Sequence, residues 1–451
     1  VSTNGSAVLD EEQVEKARAA AGDDFVELGG TGLLEYGGVL AEEFRPALQG
    51  DRAVATYKEM SEEDPTIGGS LLTIDNLVRQ VPWTFEPAPD SGAEGQRWAD
   101  HCQSCLDDMS LSWPETASSI FTMVPFGWSY FNVVLKRRDG EQPDRPDDPS
   151  AKPSSDYDDG LVGWRGIYER AQESKLRWEF DAVTGRLRGM WQQLLGGPAR
   201  FIPIERAALF RTTARKNNPE GRSALRSAHR PWYFLRRIEE HEGIGIERDL
   251  AGLPVGGAPP EYLAANASPE QQNTARRMKA VLANIRRNTN EGLLWPTKYD
   301  DHGHELFPLK LMSSGSRRQF DLQAVIMRKR QEMAMCVRTD WLLMGHEGVG
   351  SRALVDPRIE DFHRSLETWT RGVAGVFDSH VTPRLMRANG VSAKLSPKLR
   401  PGKVTQVDME QFAAAWSQLV TSGAITNTPE TEAWARAQVG APPNEVDGVA
   451  A

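Results

Sequence analysis

From Gly50 the chain takes on the alternation that a helix produces: Tyr57, Met60, Ile67, Leu71, Ile74, Leu77 and Val78 recur at three- and four-residue spacing. Asp64 is placed to cap a helix whose first residue is Pro65, and Pro82 ends it. Trp83 to Pro87 alternates as a strand, a second helix is expected from Glu94 to Met109, and a third opens at Trp113-Pro114 and ends near Met123. Phe126 to Lys136 reads FGWSYFNVVLK, aromatic and β-branched, which predicts a strand. Shorter strands are predicted at Lys175 to Asp181 and Leu187 to Leu195, around a turn at Thr184-Gly185, and at Phe201 to Phe210.

Beyond Gly221 the pattern becomes helical. Arg222 to Glu242 is a predicted helix with Leu225, Ala228, Trp232, Leu235, Ile238 and Glu239 on shared faces, followed by the glycine- and proline-rich Gly243 to Pro260. The best-signalled element follows: Ser268 caps it, Pro269 takes the first position, and Gln271 completes a capping box. Its stripe of Met278, Val281, Leu282 and Ile285 is narrow for a rod on the order of 30 Å long. Much of its remaining surface is Arg276, Arg277, Lys279, Arg286 and Arg287, so it is expected to show a basic side. Leu293 to Leu311 reads as two strands around Asp300 to Gly303, and Met312 to Asp321 as a flexible loop. Long helices are predicted from Gln319 to Leu343 and from Ile359 to Leu385, with short amphipathic ones at Asp408 to Thr421 and Pro429 to Gln438. The first 40 or so residues, glycine-rich and without helical periodicity, are expected to be an arm that orders against something else. Asp139 to Gly160 is rich in proline and acid, with almost nothing to bury; it predicts an exposed loop or a disordered insertion.

Composition narrows the function classes. The 451 residues are 39% hydrophobic and 26% charged, enough to build substantial cores, and single cores stop growing near roughly 250–300 residues, so two or three packing units are expected. The formal net charge of −10 argues against a protein that wraps and grips nucleic acid, leaving local or weak contact. Three cysteines make no disulfide framework and point to a reducing compartment. No apolar run approaches the roughly 20 residues of a membrane span, and the polar, acidic start is unlike a signal peptide. These features predict a soluble protein assembled in the cytosol. The chain does not begin with Met, and its natural ends are expected to lie beyond those of this sequence.

Catalytic constellations are hard to find. Cys102 and Cys105 form C-x-x-C beside His101, but inside an amphipathic helix and without a second pair, so packing is the expected role. DHGHE, containing His302, His304 and Glu305, reads as a polar hairpin turn without a distant metal partner. The glycines of MGHEGVGS (Gly345, Gly348 and Gly350) follow a helix rather than a strand and lack the closing Lys-Ser/Thr of a phosphate loop. No catalytic, metal or cofactor site is predicted. For the basic residues a solvated face is the default; the paired Arg317 and Arg318, in a serine- and glycine-rich loop, suit sequence-blind phosphate contact.

Several long segments in order resemble the portal proteins of tailed bacteriophages, in the branch of long-tailed and Mu-type phages and gene transfer agents. They are DPTIGGSLLTIDNLVRQVPWTFEPA from Asp64, MVPFGWSYFNVVLKRR from Met123, NPEGRSALRSAHRPWYFLRRIEEHEGIGIERDLAGLPV from Asn218 and NIRRNTNEGLLWP from Asn284. The likeness runs from about Phe44 to Pro442. It implies an α+β, mainly helical portal fold with wing, stem, clip and crown, without enzymatic activity. It further implies a homo-oligomeric ring, a dodecamer in the virion, at one capsid vertex, assembled in the host cytoplasm, through which double-stranded DNA is packaged and ejected. The partners implied are the terminase large subunit, a head–tail adaptor and the major capsid protein.

On that layout residues 1–43 would be an N-terminal arm, 44–221 the wing, 222–242 and 269–291 the stem helices, and 243–268 the clip between them. Residues 292–402 would return through the wing, and 403–451 would form a crown and tail. Ser313, Ser314, Gly315, Ser316, Arg317 and Arg318 would be the tunnel loop, and Arg276, Arg277, Lys279, Arg286 and Arg287 the stem charges facing the channel. Glu247, Arg248, Asp249, Leu250, Leu253, Pro254 and Val255 would dock terminase and adaptor. The insertion at Asp139 to Gly160 and the short crown depart from the family. Two other readings compete: a nucleic-acid-processing or metal-dependent enzyme built on DHGHE and C-x-x-C, and a ring-shaped virion scaffold that never touches DNA.

Overall fold

A computed structural model describes residues 31–142, 153–181, 184–251, 253–284, 295–312, 322–347, 352–404, 416–418, 420–422, 428, 431 and 432. The chain divides into two compact units, Val1–Arg226 with Cys336–Ala451, and Ser227–Met335. The first unit opens with a small hairpin, β1 (Glu35–Tyr36) and β2 (Val39–Leu40), the described end of the predicted arm. It orders against the unit's own body: the Trp178 amide donates to the Gly38 carbonyl at 3.0 Å. Gly38 sits at φ +85, and a Cβ there would lie 2.1 Å from the Trp178 carbonyl oxygen, so only glycine permits this approach.

Helices α1 (Gly50–Glu63) and α2 (Pro65–Gln80) follow as the periodicity predicts, with the Asp64 carboxylate accepting from the Thr66 and Ile67 amides. Strand β3 (Trp83–Glu86), α3 (Gly92–Asp107), α4 (Trp113–Ile120) and the single turn α5 (Met123–Phe126) lead into β4 (Trp128–Asp139). β4 is the central strand of a sheet ordered β5 (Asp158–Arg170), β4, β9 (Ala207–Arg211). Both of its faces are covered, which is why the segment reads as a continuous apolar run. Phe131 and Val133 enter the main core with Ile74, Trp98, Trp164 and Phe210. Trp128 and Tyr130, on the other face, pack with Trp178 and Met190 of a second antiparallel sheet. That sheet is ordered β6 (Lys175–Phe180), β7 (Leu187–Gln192), β8 (Arg200–Pro203).

The structure corrects the expectations here in three places. The predicted strand from Phe201 to Phe210 is two strands, β8 and β9, in different sheets, separated by the 3-10 turn Ile204–Arg206 after Pro203. The long strand β5 had no sequence signal, because Gly160, Gly163 and Gly166 interrupt its alternation; Gly163 and Gly166 are needed where Arg138, Cys105 and Tyr168 side chains crowd the backbone. Residues at the far end of the acidic insertion are docked rather than free. Ser155 is buried, its hydroxyl donating to Asp108 Oδ2 at 2.7 Å, and the insertion's last residues begin β5. Residues 143–152 lie outside the described residues.

The second unit opens with α6 (His229–Ala251). It starts later than predicted, after a 3-10 turn at Ala224–Arg226, because Pro231 fits only a first helical turn. It also runs on through Gly243 and Gly245, where a stop was expected; Gly243 has open space around its Cβ position, and a helix tolerates isolated glycines at modest cost. β10 (Leu253–Gly256), the turn α7 (Pro260–Leu263), α8 (Pro269–Asn284), β11 (Leu309–Met312) and α9 (Leu322–Cys336) complete the unit. The predicted strand pair between Leu293 and Leu311 survives as a short antiparallel bridge, Tyr299 opposite Glu305, around the turn at Asp300, while its far end, β11, pairs with β10 instead, from Leu253 opposite Met312 to Gly256 opposite Leu309; residues 293 and 294 lie outside the described residues. Gly256 is needed there, since a Cβ would press on Leu282 and the Trp295 ring at 2.9 and 3.1 Å.

Back in the first unit, the long helix expected to reach Leu343 has already stopped at Cys336: Arg338 takes φ +62, and a 3-10 stretch, Asp340–Glu347, follows. The Thr339 hydroxyl between them is buried against Ser70 Oγ at 2.6 Å. The next helix, α10 (Arg352–Val376), begins before Ile359, passes through a π turn at Phe377–Val381 and continues as α11 (Thr382–Ala388). Pro383 explains the π turn, because it has no amide to give the carbonyl four residues back. β12 (Lys398–Pro401) closes the unit by pairing antiparallel with β3. The predicted helices from Asp408 and Pro429, apart from a few isolated residues, lie outside the described residues.

Candidate channel and docking elements

The basic side expected of α8 is present. The Ser268 amide donates to Gln271 Oε1 at 2.9 Å and the Gln271 amide to Ser268 Oγ at 3.3 Å, the reciprocal pair of a capping box. This cap sets the helix phase. Met278 is buried, while Arg276, Arg277 and Lys279 are exposed beside it. Arg286, Arg287 and the loop Ser313 to Arg318 lie outside the described residues.

The residues expected to form one docking segment fall in two elements. Glu247, Arg248, Asp249 and Leu250 belong to the last turns of α6, whereas Leu253, Pro254 and Val255 belong to β10, where Val255 is exposed. Sheet and turn are braced within the unit: Tyr262 meets Phe307 edge-on at 5.1 Å, and the Trp295 indole donates to the Phe307 carbonyl at 2.8 Å.

α6 carries a feature that sequence reading missed. One stripe, with Trp232 and Leu235, is buried, and Glu239 pairs with Arg330 of α9 at 3.2 Å. A second, exposed stripe runs through Arg230, Tyr233, Phe234, Arg237 and Ile244, with Tyr233, Phe234 and Ile244 each 46% exposed. Arg230 lies over Phe234 at 5.9 Å and Arg237 over Tyr233 at 5.7 Å. The i, i+3, i+4, i+7 spacing was the available signal; the neighbouring Trp232 stripe drew attention from it.

The candidate chemical motifs prove to be scaffolding. Cys102 and Cys105 are fully buried in α3, and burial pushes the Cys105 thiol up to about 11 and the Cys102 thiol well above its ordinary value, so both stay protonated. The Arg138 guanidinium donates to His101 Nδ1 at 3.0 Å, and His101 Nε2 meets the Val162 carbonyl at 3.1 Å. These partners hold the imidazole neutral with its proton on Nε2, and burial lowers its pKa. Arg138 also pairs with Asp159 at 3.0 Å and covers the Tyr157 ring at 3.8 Å, while Lys136 pairs with Asp108 at 3.0 Å with both side chains buried. Together they pin both feet of the acidic insertion to α3. In DHGHE, Asp300 Oδ1 accepts from the His302 and His304 amides at 2.9 and 2.7 Å, which is turn chemistry. No group of three or more His, Cys, Asp or Glu side chains is placed to hold a metal among the described residues.

The first unit has a cavity of about 630 Å³ between the end of the arm, the start of α1 and the loop before Arg226. Its charges are largely paired, Glu42 with Lys216 at 3.0 Å and Glu43 with Arg226 at 2.8 Å. The Leu34 amide, then Lys216, hold the Glu42 carboxyl below its ordinary pKa. Nothing in the sequence marked this cavity, because its walls come from segments far apart in the chain.

No curated protein matches the chain. Among solved structures, the virion of a native gene transfer agent particle aligns with a TM-score of 0.51 at 12% identity, covering 87% of this chain and 94% of that one. The neck of the native particle, computed with C12 symmetry, aligns with a TM-score of 0.51 at 13% identity, covering 86% and 94%. At such identity the likeness speaks for the fold. The family described as the portal protein of Mu bacteriophage matches residues 54–441, nearly the whole chain, and the chain belongs to that portal protein family.

Proposed function

We propose that this portal protein forms a closed ring of twelve copies at a single vertex of a virion, assembled in the host cytoplasm, and that double-stranded DNA enters and leaves through its centre. The observation that carries this reading is the family match over residues 54–441, seconded by a fold shared with a gene transfer agent neck of twelvefold symmetry. The role is that of a conduit without catalysis of its own. A conduit must hold its cargo loosely, since every phosphate neutralised adds grip. The net charge of −10 with a local basic face on α8 suits sliding better than a basic lumen would.

In this arrangement α6 and α8 are the stem, and the paired strands β10 and β11 with the end of α6 are the clip that receives the terminase large subunit and later the head–tail adaptor. Arg276, Arg277 and Lys279 face the channel, joined by Arg286 and Arg287 and by the tunnel loop from Ser313 to Arg318. The first unit is the wing, which meets the major capsid protein, and residues 403–451 the crown and tail. Replacing Arg276, Arg277 and Lys279 together by Gln is expected to leave particle assembly intact while lowering packaged DNA several-fold, measured by quantifying nuclease-protected genomes. Normal packaging by that variant contradicts the channel assignment of α8.

A further inference from the structure

A ring closed by rotation uses a heterologous contact: each copy offers two different edges, and one must fit the other. The first unit carries two such edges, at opposite ends of β5, whose 13 residues span roughly 35–40 Å. At the start of β5 lies the foot of the acidic insertion, with Glu141, Asp156 and Asp158 exposed. The cations at this end are already engaged: Lys136 with Asp108 and Arg138 with Asp159, both at 3.0 Å, and Arg137 with Asp139 at 3.7 Å. Glu141, Asp156 and Asp158 are left without an ion pair among the described residues. Beside them Tyr157, its ring covered by Arg138, is still 36% exposed. Beyond the other end of β5, the Gln193 amide donates to the Ser174 carbonyl at 2.8 Å, which ties the turn between β7 and β8 to that end. The turn presents Leu194 and Leu195, with Leu176 exposed on neighbouring β6. One exposed leucine needs no explanation; three gathered at one end of a sheet mark a contact surface. Arg177 and Arg200 lie on the adjoining strands, and both are exposed. Arg200 has no ion pair among the described residues, and Arg177 meets Glu179 only at 3.7 Å. A pair so exposed holds little energy and exchanges partners readily. The acids nearby have other partners, Glu173 in Lys58 at 3.0 Å and Glu179 in the Trp191 indole at 2.9 Å.

We propose that the turn between β7 and β8 of one copy docks on the insertion foot of the next, with Leu194 and Leu195 against the open side of Tyr157, and Arg177 and Arg200 paired with Asp156 and Asp158. The inference rests on the ring reading above and adds its contact surface. The two edges differ in sign, so each fits the other and neither fits itself, as head-to-tail closure requires. They also lie at opposite ends of one rigid strand, so a copy can hold a neighbour at each end without either contact obstructing the other. On this reading the insertion, pinned to α3 by two buried cations, is the acidic half of a seam.

The test uses three full-length variants: Arg177→Glu/Arg200→Glu at the turn, Asp156→Lys/Asp158→Lys at the foot, and all four substitutions together. Particle mass is followed by sedimentation, rings are counted by electron microscopy, and circular dichroism checks that each variant is folded. Either pair alone sets like charges against each other at every seam, and a drop of at least tenfold in the ring fraction is expected. The combined variant restores rings, because every seam is again a set of opposite charges. Within one copy the two sites lie several Debye lengths apart, so no intramolecular contact accounts for that recovery. Where a charge variant is unfolded, Leu194→Ser/Leu195→Ser decides in its place, with the same loss of rings expected. Rings at the wild-type level from either pair or from the leucine variant, or no recovery in the combined variant, overturn the seam while leaving the ring reading intact. Normal rings that then fail to enter particles also overturn it and assign the turn to another virion protein. If wild type itself forms no ring, alone or in particles, the ring reading falls and the seam with it.

Discussion

At the residue scale, polar groups that a periodicity argument places are held by partners it does not name. Asp64 was legible as a cap, and its carboxylate accepts from the Thr66 and Ile67 amides, both at 2.9 Å. Asp64→Ala leaves those donors open at a nearly buried site. A loss of about 1 kcal/mol is expected, seen as a lowered Tm by calorimetry, with Asp64→Asn close to wild type. His101 was legible only as a neighbour of C-x-x-C; its partner Arg138 lies on β4, and no sequence spacing announces that meeting. Burial holds His101 neutral, with its pKa below the ordinary 6.5. Below about pH 6.5 the unfolded chain therefore binds a proton that the folded one declines, and stability falls as pH drops through that window. His101→Gln should make this acid-side decline shallower in denaturant titrations at pH 7, 6 and 5. An unchanged slope would assign the sensitivity elsewhere, for example to His363, which burial shifts the same way.

Among elements, legibility followed the locality of the signal. α1, α2, β3, α3, β4, β6, β7 and α8 were readable because a cap, a proline or an apolar rhythm lies inside each segment. β5 was not, since its glycines break the alternation, and Gly163 among them answers to Arg138 of β4 and Cys105 of α3. The end of α6 was misread for the converse reason: Gly243 and Gly245 are punctuation in a loop but tolerable in a helix. The arm hairpin depends on a single close approach. Two-stranded hairpins are marginal alone, so Gly38→Ala, which sets a methyl against the Trp178 carbonyl, is expected to undock it. Limited proteolysis would then cut between Leu34 and Glu43 markedly faster than in wild type while the remaining fragment stays folded. Wild-type protection of that segment would show that contacts other than the Gly38–Trp178 hydrogen bond hold the arm.

For the whole molecule, sequence reading reached the family before it reached the site. Long ordered segments carried the portal resemblance, which the family match over residues 54–441 bears out, whereas residues such as Arg286, Arg287, Arg317 and Arg318 remain proposals. Net charge acts at this scale too: at −10 per chain the surface as a whole is unfavourable to nucleic acid, and favourable contact is confined to local basic faces. The central claim is that these chains form a ring around a DNA path. Electron microscopy of the purified chain, viewed down any symmetry axis and repeated on particles, tests it most directly. The account predicts rings with a central hole wide enough for a duplex, about 20 Å or more, and one such ring at the tail vertex; a particle whose vertex lacks a ring of this chain contradicts it.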